Sequence, residues 1–128
     1  MKAFYPLALL AALASANIYA ACDYPTAPAN VPRGKTATLE KMVAAQKAVK
    51  EFDAAINGYV SCLQTESDAE IAALEQKESN PDKREARKKK LTQAVIKKQN
   101  AAIAADKDLA ARFNEQLRAF KAKNNGAG

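Results

Sequence analysis

Asn80-Pro81-Asp82 is the one strong helix break in the interior of this chain, and it constrains the fold more than any other stretch. Proline fits the first position of a helix, asparagine caps it, and an aspartate in the first turn suits the positive end of the dipole, so the break is also a start. Upstream, Leu39, Met42, Ala45, Val49, Phe52, Ile56, Tyr59, Val60 and Leu63 recur at the spacing of one helical face. The stripe continues more weakly through Ser67, Ile71 and Leu74. Ser67 with Glu70 can form a capping box, but no glycine or proline stands at that joint, which favours one continuous helix to about Ser79. Downstream, Leu91, Val95, Lys98, Ala102, Ala105, Leu109, Phe113, Leu117 and Phe120 make a second stripe, widened by Ile96 and Ile103.

A chain folding back at Asn80 brings together residues whose numbers have a constant sum. Met42 with Phe120, Val49 with Phe113, Phe52 with Leu109, Ile56 with Ala105 and Leu63 with Lys98 all sum to 161 or 162. The expectation is an all-α antiparallel two-helix hairpin, helix 1 over about 38–79 and helix 2 over about 81–123. Each arm holds about forty residues and, at 1.5 Å per residue, is roughly 60 Å long. A bare hairpin of that length buries one face of each helix, which barely offsets the entropy of ordering the chain. Further support is therefore expected from the N-terminal segment, a disulfide or self-association.

From Cys22 to Lys35 no helical period exists, and Pro25, Pro28 and Pro32 favour an extended, polyproline-like strap. Gly34 lets the chain turn, and Thr36 or Thr38 can cap helix 1, with Glu40 in its first turn. The segment from Cys22 to Thr38 spans about 50 Å in polyproline geometry, whereas Cys62 lies about 36 Å up the helix from Thr38. The strap can therefore run back along helix 1 to Cys62. Gly58 sits one turn before Cys62, where a missing side chain is expected to let the strap's backbone come close.

The chain opens with Lys2, an apolar block from Phe4 to Leu13 broken by Pro6, and small residues from Ala14 to Ala21. That is the pattern of a secretory signal peptide. Cleavage after Ala20 is favoured over cleavage after Ala16, which leaves a very short signal. Ala20-Ala21-Cys22 partly resembles a lipobox, but Tyr19 stands where leucine is expected. Lipidation of Cys22 would strand Cys62 as an odd thiol in an oxidising compartment, whereas ordinary cleavage leaves two cysteines free to pair. Pairing is the simpler outcome, and two unrelated buried thiols the competing one. The expected organisation is signal peptide 1–20, strap 21–37, hairpin 38–123 and a frayed tail 124–128, with no transmembrane segment in the mature chain and a periplasmic or secreted location.

Charge divides unevenly. Residues 22–80 carry 6 bases and 9 acids, residues 81–128 carry 13 bases and 5 acids, so the halves hold −3 and +8. The basic run Lys83, Arg84, Arg87, Lys88, Lys89 and Lys90 is the strongest functional signal, and Lys83, Arg87, Lys90 and Lys97 share a face able to grip phosphates. The plainer reading sets Glu66, Asp68, Glu70, Glu75 and Glu78 opposite this run, fixing the register of the arms. Lys98, inside the apolar stripe, is expected to pack its stem and reach Glu66 or water.

The chain contains no histidine, which removes His-based nucleophile pairs, His-ligated zinc and the commonest general base. Cysteines forty residues apart make neither a zinc site nor a C-x-x-C pair. Glu66 with Glu70, and Asp106 with Asp108, are carboxylate pairs without an expected cleft. No catalytic, cofactor-binding or metal-binding residue is expected. With no tryptophan and mixed polar faces, the helices favour a partner helix over a bilayer.

Cys22-Asp23-Tyr24-Pro25, Pro28, Val31-Pro32-x-Gly34, Ala37-Thr38, Met42, Ala45-Gln46, Val49-Lys50 and Tyr59-x-x-Cys62 resemble a group of short exported helical proteins of proteobacteria without an assigned activity. The resemblance covers the first half of the mature chain and none of helix 2. It implies an envelope location and a Cys22–Cys62 disulfide, and no activity or cofactor. The resulting expectation is a non-enzymatic exported helical interaction or binding module of the bacterial envelope. Its partners would be a second copy, giving a four-helix bundle, or an envelope protein. The alternative is a polyanion binder, for lipopolysaccharide or anionic lipid, using Lys83, Arg87, Lys90 and Lys97; export disfavours nucleic acid.

Overall fold

The computed structural model describes residues 21–126, so the segment expected to be a signal peptide, residues 1–20, lies outside the described residues. Helix α1 spans Leu39–Lys77 and helix α2 spans Pro81–Asn125, packed as an antiparallel hairpin. Thr38 caps α1 by accepting from the Lys41 N–H at 3.3 Å, and Asn80 caps α2 by accepting from the Lys83 N–H at 3.1 Å. Helix α1 runs unbroken through Ser67, whose side chain turns into the seam rather than capping a restart. Helix α2 carries on to Asn125 with a cap at Gly126, so Asn124 and Asn125, expected to fray, are helical.

Cys22 and Cys62 are joined in a disulfide, their Cα atoms 5.8 Å apart. From there the strap slants across the hairpin. Tyr24 sets its ring edge-on against Tyr59, centroids 5.2 Å apart, and Pro25 and Pro28 lie beside Ala48, Phe52 and Ala55. The chain then leaves α1: Val31 and Arg33 lie beside Arg112 and Gln116 of α2. Cys22, Pro25, Pro28, Val31, Gly34 and Ala37 are all at least half-buried, and of the residues between them only Pro32 is not exposed. From Cys22 to Val31 a half-buried position at every third residue suits an extended, polyproline-like strand with three residues per turn. At residues 34–36 the chain turns, the Thr36 and Ala37 N–H groups donating to the Arg33 carbonyl at 3.1 and 2.9 Å.

Gly34 rather than Gly58 is the point of close approach. A Cβ on Gly34 would collide with the carbonyl oxygen of Gln116 and stand 2.7 Å from the Phe120 nitrogen, and the Gly34 N–H donates to Gln116 Oε1 at 3.0 Å. No glycine among the described residues has a positive φ, so the small size of Gly34, not its conformational freedom, is what the position uses. A Cβ on Gly58 meets nothing within 4 Å. The expectation fails there because the strap heads from Cys62 over Tyr59 toward the seam, leaving Gly58 on the outer side of α1.

The core is concentrated at the end where the strap adds a third layer. Phe52, Ile56, Ala102 and Leu109 form one cluster, Ala37, Met42 and Phe113 another, and Val31 packs against both. Every buried residue of α2 lies at or beyond Ala102. Toward the turn α2 offers only half-buried side chains such as Leu91, Val95 and Gln99. Gln99 takes the seam position expected of Lys98, donating to the Val60 carbonyl at 3.2 Å and to Gln64 Oε1 at 3.4 Å, while Lys98 is exposed. An amide satisfies its donors there without the cost of desolvating an ammonium.

Candidate functional site

The basic arm is the first third of α2. A helical period divides its cations between two faces. Arg84 and Lys88 turn toward α1: the Arg84 guanidinium donates to the Glu78 carbonyl at 3.3 Å, and Lys88 Nζ stands 3.5 Å from Glu75 Oε1. Lys83, Arg87, Lys90 and Lys97 are exposed, and none has a carboxylate within ion-pair distance among the described residues.

Of the α1 acids expected to neutralise this run, Glu66, Asp68 and Glu78 make their contacts elsewhere, and Glu70 has no ion-pair partner among the described residues. Asp68 accepts from Gln64 at 2.9 Å, and Glu78 Oε1 accepts from the Asn80 N–H at 3.1 Å, bracing the turn. Glu66 Oε2 lies 3.5 Å from Cys22 Sγ, a contact without a proton because that sulfur is in the disulfide. Glu75 with Lys88 is the one ion pair between the arms among the described residues. The charge-matched zipper is thus reduced to a single exposed pair, which contributes little to stability.

Beside the arm, where the strap does not reach, the helices leave a groove of about 470 Å³. Ala73, Leu74 and Leu91 give it an apolar floor, and Glu70, Lys77, Glu78, Arg87 and Lys90 stand around it. Two of the four residues singled out in the sequence, Arg87 and Lys90, line this groove, while Lys83 and Lys97 lie on α2 to either side of it. Lys77, the last residue of α1, adds a third cation from the opposite arm. Sequence reasoning passed over Lys77; its signal was the fold-back at Asn80, which sets the end of α1 beside the start of α2.

A second constellation lies on the hairpin nearer the core. Asp106 and Asp53 bring two carboxyls together across the helices, and Asp106 Oδ1 is shut off from solvent without a hydrogen-bond partner. Burial first, and then the neighbouring Asp53 carboxyl, raise the Asp106 carboxyl above its ordinary range. The adjacent Asp108 faces outward and pairs with Arg112 Nε at 3.1 Å. Neither protein-family models, characterised proteins nor solved structures match this chain.

Proposed function

We propose that this chain is a non-enzymatic binding module of the bacterial envelope, exported to the periplasm or beyond it, and that the basic arm of α2 contacts anionic envelope ligands. The observation that carries the reading is the set of exposed, unpaired cations Lys83, Arg87, Lys90 and Lys97 on one face of α2. A face serving only to fix register would spend its charges on the opposing acids, and this one does not. Export is supported by the disulfide, a bond that persists in oxidising compartments. Self-association belongs to the same proposal: Ile96 and Ile103, a heptad apart on α2, are exposed at 48% and 37%, an apolar pair a second copy can cover.

Co-sedimentation with phosphatidylglycerol vesicles tests the arm. Binding is expected at low salt, at least tenfold weaker when ionic strength rises from about 0.02 to 0.2 M, and lost when Lys83, Arg87 and Lys90 are changed together to glutamine. Absence of binding at low salt ends this reading.

A further inference from the structure

We propose that the groove beside the turn seats a single-chain amphiphile with a phosphate monoester headgroup, its alkyl chain on Leu74, Ala73 and Leu91 and its phosphate among Lys77, Arg87 and Lys90. This rests on the reading of the arm as an anion-binding surface and specifies the ligand class. The groove's volume, about 470 Å³, falls in the range of small-molecule sites, and its floor is apolar. A fully polar anion would leave that floor uncovered, and a neutral lipid would leave three cations unanswered.

The rim selects between anions. Of its two acids, Glu78 is already committed to the Asn80 N–H, so Glu70 alone opposes three cations. Those cations approach from both arms, Lys77 from α1 and Arg87 and Lys90 from α2. A tetrahedral phosphate monoester offers three acceptor oxygens in different directions and can be met from both sides, whereas a planar carboxylate matches a single fork. The groove also lies in the half of the hairpin without a strap, where neither the core nor the disulfide competes for it.

Isothermal titration of the oxidised chain with dodecyl phosphate, below its micelle concentration, tests the site. Saturable one-to-one binding is expected, at least tenfold tighter than inorganic phosphate and than neutral dodecyl maltoside. Leu91→Gln and Arg87→Gln should each weaken dodecyl phosphate at least fivefold with unchanged circular dichroism, while Lys89→Gln, outside the groove, should have less than a twofold effect. Equal affinity for inorganic phosphate would overturn the seat for the chain, and equal affinity for the maltoside the role of the cations. An equal loss with Lys89→Gln would reduce the effect to net charge and overturn the site. Vesicle binding without dodecyl phosphate binding would leave the basic arm standing and end the groove. Sedimentation showing a dimer that Leu91→Gln dissociates would assign the groove to a second copy and overturn the proposal.

Discussion

Gly34 and Gly58 make opposite demands on a side chain. The first lies against the backbone of α2, where Gln116 and Phe120 cannot rotate away, so Gly34→Ala must shift the strap or the helix. A loss of about 1–3 kcal/mol in urea unfolding is expected, the range for overpacking a tight contact. Gly58 is a helical glycine facing open space, and Gly58→Ala should stabilise by about 0.5–1 kcal/mol through helix propensity and reduced freedom of the unfolded chain. A stabilising Gly34→Ala, or a costly Gly58→Ala, would reverse this account of the strap's path. Asp106 carries the other residue-scale prediction. Its carboxyl is raised in the fold, so the folded state binds that proton more tightly than the unfolded state does. The stabilising share of this group is therefore complete in acid, below the unfolded carboxyl's titration, and is lost as pH rises through the raised folded value. Asp106→Asn should unfold at higher urea than the parent at about pH 7, and the difference should shrink toward about pH 3. An advantage independent of pH would mean that neither burial nor the Asp53 carboxyl raises Asp106.

The strap behaves as a third structural element, held at both ends by different means. At Cys22 the tie is covalent, and at Val31, Gly34 and Ala37 it is packing. In the chain-entropy picture, closing a loop of this size contributes about 4 kcal/mol, an upper figure. Cys22→Ser should therefore lower the thermal midpoint while leaving most far-ultraviolet helical signal, because the two helices keep their seam and the second half of the strap keeps its anchor. Loss of most helical signal would show that the strap, and not the hairpin, nucleates the fold. The sequence supported an extended strap and its tie to Cys62, but not its crossing to α2. Pro25, Pro28 and Pro32 made the extended path legible, but which strap residues face the hairpin, Cys22, Pro25, Pro28 and Val31 at every third position, followed only from the packing.

The described residues form a rod about 68 Å long, set by the 45 residues of α2, with unequal ends, three-layered and cored near the strap, two-layered and polar near the turn. That asymmetry separates stability from binding: the buried clusters sit at one end, the unpaired cations and the groove at the other. Ile96 and Ile103 lie between them. Analytical ultracentrifugation of the oxidised chain should show a reversible dimer that Ile96→Glu with Ile103→Glu abolishes; a strict monomer at high concentration would count against self-association.

The helices, their caps, the turn at Asn80-Pro81 and the antiparallel pairing followed from the sequence by itself, because helical period and capping chemistry are local and the fold-back sum needs only a turn position. Cysteine parity favoured pairing of Cys22 with Cys62, and the reach of an extended segment, which scales with its length, allowed it. Tertiary structure alone decided which helix the strap leans on, whether Gly34 or Gly58 admits it, and whether Lys98 or Gln99 enters the seam. It also decided which acids remain for the basic arm and where Asp53 meets Asp106. Each of these depends on the rotation of one element about another, which moves a side chain from partner to solvent within one residue and leaves no trace in local spacing.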